Sequence, residues 1–153
     1  MALLNYTTTI KVEKTIGEIQ GILVKHGARA ILSDYDVDGH INSISFQVET
    51  FKGIISIKLP ANTESVLQVL KHQKRRSNNS SIKDTYDQAE RCSWRIIKDW
   101  VEAQMAILET EMVKFEEVFL PYIITSSGQT VFQKYESNQL LLKDSAVNEE
   151  VNQ

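Results

Sequence analysis

The sequence predicts an α+β fold: an antiparallel sheet of about four strands, two short helices, a long carboxy-terminal helix and a small terminal hairpin. Three observations carry this. From Ala28 to Leu59 apolar and polar residues alternate with a period of two, broken by Asp38-Gly39 and Lys52-Gly53. Apolar residues at helical spacing flank that region, at Ile16, Ile19, Ile22 and Leu23 before it and at Val66, Leu67, Val69 and Leu70 after it. Further on, Trp94, Ile97, Val101, Met105, Leu108, Met112, Phe115 and Phe119 recur at alternating steps of three and four, which is one apolar helical stripe.

Tyr6, Thr8, Ile10 and Val12 alternate with polar residues and read as a first strand. Thr15 with Glu18 forms a capping-box pattern that opens a short helix, which stops at Gly27. Three consecutive antiparallel strands follow. Ile44, Phe46 and Val48 share one face, Ile55, Ile57 and Leu59 are their counterparts, and glycine supplies positive φ at the two joints. Pro60 ends the third of these strands, and Asn62 caps a helix whose register fails after Lys71. Residues 1–72 therefore form the sheet region. Gln73 to Asp84 is rich in serine and asparagine, so residues 73–83 read as a flexible linker. Residues 84–135 hold a helix from about Asp84 to Leu120, ended by Pro121, and a hairpin around Ser126-Ser127-Gly128. Residues 136–153 read as a disordered tail. A helix of about 36 residues would be a rod of about 54 Å, too long for so small a sheet without a break or a partner, and this predicts a homo-oligomer, most simply a dimer.

Composition narrows the function. The chain has 153 residues, 42% hydrophobic and 24% charged, which fits one globular domain with a core of its own. No apolar run approaches the ~20 residues that span a bilayer, and the start MALLNYTTT lacks a charged leader, so a cytoplasmic protein without membrane contact is expected. The net charge of −3 argues against wrapping of long nucleic acid. Cys92 has no thiol partner and reads as a buried, inert group.

Candidate chemistries follow from spacing. Asp34, Asp36, Asp38 and Gly39 reproduce the start of a calcium-binding EF-hand loop, but Ser45 stands where the closing glutamate is required, and the flanks alternate as strands. The segment is read as an Asp-Gly hairpin turn, with a weak divalent-metal site as the alternative. His26, His40 and His72 are scattered and read as surface or cap residues. Acyl-transfer, Walker and dinucleotide signatures are missing, so neither an enzyme nor a cofactor is expected. What stands out is a set of cations beside aromatic rings. Gln88, Arg91, Arg95 and Lys98 line up along the long helix, and Lys71, Lys74, Arg75 and Arg76 cluster before the linker. The expected ligand site uses Arg91, Arg95, Lys74, Arg75 and Arg76 for phosphate, with Gln88 beside them and Trp94 or Trp100 stacking on a base. The same residues also fit a core helix with solvated charges.

The runs W-R-I-I-K-D-W-V-E-A-Q (Trp94 to Gln104), V-F-L-P-Y (Val118 to Tyr122) and I-S-I-K-L-P-A-N (Ile55 to Asn62) resemble a family of small, uncharacterised bacteriophage and prophage proteins, over about Thr8 to Tyr135. The resemblance implies a mobile-element origin, hence a host-cell cytoplasm, and assigns no catalytic residue. Three functions are expected in turn: binding of an anionic nucleotide, for example sequestration of a nucleotide immune signal as counter-defence; an accessory role on single-stranded DNA in phage replication or recombination; and inhibition of a host enzyme by direct protein contact.

Overall fold

In the computed structural model, which describes residues 2–137, five helices and one three-stranded sheet follow each other in the order α1 (Val12–Lys25), β1 (Ala30–Tyr35), β2 (Ile41–Thr50), β3 (Gly53–Lys58), α2 (Thr63–Ser77), α3 (Tyr86–Glu109), α4 (Phe115–Phe119) and α5 (Val131–Glu136). A 3₁₀ turn, Leu120–Tyr122, joins the last two. The α+β class holds. The sheet is an antiparallel meander, β1-β2-β3.

The strand pairing follows the alternation. Phe46 lies opposite Ile31 on one side and Ile57 on the other, and Val48 lies opposite Ile55. Because side chains alternate across a strand, Ile44, Phe46, Val48 and Ile57 all point to one face, where they are buried. That face is covered by Ile16, Ile19 and Leu23 of α1 and by Trp94, Ile97, Val101 and Met105 of α3. On its other side α3 packs against α2, where Leu67, Leu70, Ala89 and Cys92 form a second cluster with Ile82. The long helix is thus central, buried on two sides.

Several expectations are corrected. The segment from Tyr6 to Val12 is not a strand. It turns at Asn5 (φ 63°), runs across α3 and enters α1 at Val12, and Leu3 and Tyr6 pack on the second cluster. Thr15 does not cap α1. It lies within the helix, fully buried, because α3 supplies a partner in Arg95. The helix after Asn62 does not fail at Lys71 but continues to Ser77, closed by Asn78 in the left-handed conformation. Residues 73–83 accordingly do not form a linker throughout, since Gln73 to Ser77 are helical and Ile82 plugs the second cluster.

The long helix breaks. It ends at Glu109, and Glu111 at φ 60° turns the chain, so that Phe115 and Phe119 of α4 fold back on the same core. The edges of Phe46, Phe115 and Phe119 meet there, with Phe46 and Phe119 centroids 5.9 Å apart. The apolar stripe, Met112 apart, therefore packs within one chain, and the length of the helix no longer argues for a partner. Instead of a fourth strand or a hairpin, Ile123 and Ile124 make single bridges to Ile57 and Thr130, and the expected second arm becomes α5. Of the tail expected to be disordered, Glu136 closes α5, and residues 138–153 lie outside the described residues.

No helix among the described residues is long and apolar enough to cross a membrane.

Candidate functional site

The first turns of α1 and α3 and the tip of the β1-β2 hairpin enclose a cleft of about 910 Å³. The hairpin tip is built by Asp36, whose Oδ1 accepts hydrogen bonds from the backbone N–H of Asp38 and His40, both at 2.9 Å. Gly39 completes the turn at φ 82°. Asp36 is therefore committed to backbone donors, which supports the turn reading of the aspartate-rich segment.

This turn aims His40 at α3. Its Nδ1 lies 2.9 Å from Oε2 of Glu90, and Oε1 of Glu90 accepts the backbone N–H of Ile41 at 3.4 Å. Glu90 is 7% exposed, an unusual position for a carboxylate without a charged partner. Asp87, one turn earlier on α3, brings a second carboxylate to the same point, so that a ligating atom of each of the three lies within 4.8 Å of the others. The ring of Tyr86 meets His40 edge-on at 4.9 Å. The hydrogen bond with Glu90, helped by the charges of Glu90, Asp36 and Asp87, holds the His40 pKa above its ordinary 6.5 against the opposing effect of desolvation. Burial, with the nearby charges of Glu90, Asp36 and Glu64, raises the Tyr86 phenol, although a hydrogen bond with Thr63 works the other way.

Arg91 borders this cleft and also a smaller pocket of about 180 Å³. Its guanidinium donates twice to Oε1 of Gln88, at 2.7 and 3.2 Å. Gln88 in turn donates to the carbonyl oxygens of Tyr6 and Thr8, at 2.9 and 3.0 Å, so its amide is fixed from both ends. Among the described residues no carboxylate lies within ion-pair distance of Arg91. The small pocket is lined by Tyr6, Thr7, Thr8, Thr9, Ser81, Lys83, Gln88 and Arg91, two cations with hydroxyl groups and no acidic residue.

The other expected site residues are dispersed. Arg95 is ion-paired with Glu18 and donates to Thr15, so it ties α3 to α1. Trp94 is completely buried in the main core, and its indole N–H has no partner among the described residues. Trp100 is half-buried, edge-on to Phe119 and Tyr122 at 5.8 and 5.3 Å. Trp94 therefore offers no ring face to a ligand. Lys74 pairs with Asp84 at 2.8 Å, Arg75 is exposed, and Arg76 lines a separate pocket with His72 and Ile82. Lys98, on the same line of α3, pairs with Glu102 at 2.6 Å. Only Gln88 and Arg91 of the expected set come together.

Sequence reasoning missed His40, Asp87 and Glu90, and also Lys83 with Thr7 to Thr9. The spacing of Asp87 and Glu90 on one helical face is legible. His40 joins them only across a separation of 50 residues, which no local pattern reports. Thr7 to Thr9 lie in a stretch that alternates like a strand, and Lys83 lies in one with the composition of a linker.

Comparisons with protein families, with curated proteins and with solved structures give no match to this chain.

Proposed function

We propose that the protein is a non-enzymatic binding protein for a phosphate-bearing ligand of the nucleotide class. The observation that carries this reading is Arg91: oriented by Gln88 and, among the described residues, ion-paired with no carboxylate, it faces a hydroxyl-lined pocket together with Lys83. A guanidinium held by its neighbours loses little side-chain entropy on binding, and its planar fork matches two phosphate oxygens. A pocket of about 180 Å³ has room for a phosphate group, with the rest of the ligand extending past Arg91 into the larger cleft. The aromatic contact assigned by sequence to the tryptophans passes to Tyr35, which lines the cleft and is 57% exposed. Sequestration of a nucleotide immune signal by a phage-type protein is the finer form of this proposal, and it draws on the resemblance set out above.

The test is native mass spectrometry of the purified protein to identify a co-purifying nucleotide, then calorimetry of that compound against parent and variant. Arg91→Gln with Lys83→Gln removes two charge-assisted contacts, each worth about 1.5–3 kcal/mol, so affinity falls at least tenfold while the fold is retained. The reading fails if no nucleotide is retained and none binds, or if the double variant binds as tightly as the parent. An affinity that falls steeply with salt and grows with strand length would assign the site to single-stranded nucleic acid instead.

A further inference from the structure

We propose that His40, Asp87 and Glu90 form a binding site for one divalent transition-metal ion in the cleft beside Arg91. The set is a mixed one, an imidazole nitrogen and two carboxylates contributed by a strand-connecting turn and by the first turns of α3. It is also not a surface accumulation of acid. Glu90 is more than nine-tenths buried, with Oε1 fixed by the Ile41 N–H, which leaves Oε2 aimed at His40. A carboxylate in that position requires a cation, and either an imidazolium or a metal ion between His40 and Glu90 meets the requirement.

The geometry is close to that of a metal site. Nitrogen and oxygen donors on one coordination sphere of radius about 2.0–2.2 Å lie at most about 4.4 Å apart, and the atoms of this set, all within 4.8 Å of one another, need only a small adjustment to reach it. Asp87 is exposed, so its side chain can close the remaining distance without disturbing the core. The backbone N–H of His40 is held by Asp36, which fixes the residue that would carry the ring. An imidazole with two carboxylates suits zinc, manganese or iron rather than calcium or magnesium, which prefer oxygen alone. Three protein ligands leave coordination positions directed into the cleft. Two negative charges would there be balanced, so the side of the cleft next to Arg91 would accept an anion. The site itself does not depend on the phosphate reading.

The probe is Zn²⁺ alone, titrated into the full chain by calorimetry at neutral pH without phosphate or nucleotide. One ion per chain is expected, with micromolar affinity and a shift of the His40 Nδ1 resonance by nitrogen-15 NMR. Asp87→Asn, at an exposed position, and His40→Gln should each weaken binding at least tenfold, whereas Arg91→Gln should leave it unchanged. The proposal is overturned if the parent binds no Zn²⁺, or if both variants bind as tightly as the parent, which would leave the cluster as a His40–Glu90 ion pair. Since Arg91→Gln spares the metal and disables phosphate binding, failure of either reading is distinguishable from failure of the other.

Discussion

Arg91 and Arg95 stand one helical turn apart, yet they have opposite fates. Arg95 meets Glu18 and is consumed in joining two helices, whereas Arg91 meets an amide and keeps its charge available. Sequence spacing places both on one side of α3 and cannot say which finds a carboxylate across the fold. A third charged residue gives a test at this scale. The hydrogen bond from Lys74 holds the Asp84 carboxyl below its ordinary 3.8, aided by a backbone hydrogen bond and by the charges of Lys74 and Lys71, against desolvation. A lowered pKa in the folded state means that the native protein binds fewer protons than the unfolded chain. The stabilisation is therefore present above pH 3.8 and lost as pH falls through the folded-state value. Thermal melts between about pH 5 and pH 2 should show that Lys74→Met removes this part of the acid dependence, with parent and variant converging at the acid end. Curves that stay parallel throughout would show that the pair contributes nothing to folding.

At the scale of elements, the break after Glu109 decides the architecture. Glu111 at φ 60° is a non-glycine residue in the left-handed region, a strained conformation that glycine adopts at little cost. Glu111→Gly should therefore raise stability, by up to about 1 kcal/mol in denaturant unfolding. In an unbroken helix the same change would lower it by about the same amount, so the sign alone tells the two structures apart. The three strands and the helix after Asn62 were legible because their signals are local: a two-residue period, two glycines and a capping side chain. The break was not. Met112, Phe115 and Phe119 keep the helical stripe in register past Glu111, and the preference for folding back comes from the aromatic cluster with Phe46, a contact remote in sequence. The amino-terminal segment misled for the same reason. Its alternation is real, but the residue that claims it, Gln88, lies 82 positions from Tyr6 and 80 from Thr8. Of the candidate site, the helical half was readable from α3, and the half supplied by the hairpin tip and the threonine run was not.

For the whole molecule, the expected dimer loses its original argument, because Leu108 packs on the chain's own core while Met112 is 72% exposed in the break. Self-association stays a proposal about other surfaces, and two substitutions separate the cases. Leu108→Asp should unfold the protein, since it places a charge against a packed core. Met112→Asp should leave the monomer folded; if light scattering of the parent gives twice 17.5 kDa and this variant gives half of that, the exposed break is the seam. A parent that runs as a monomer ends the dimer idea. The path of the chain from Leu3 to Ile10 bears on synthesis. Asn5 is fastened to Asp99 and Leu3 to Gln73, so a stretch synthesised before α2 and α3 has its docking surface on them. The second cluster stays open until α3 has emerged, since Ala89 and Cys92 belong to it and Cys92 reaches back 87 residues to the Asn5 carbonyl. During translation the nascent protein thus carries an unsealed apolar flank, and a bulky group inserted next to Leu3 would obstruct the last step of sealing it.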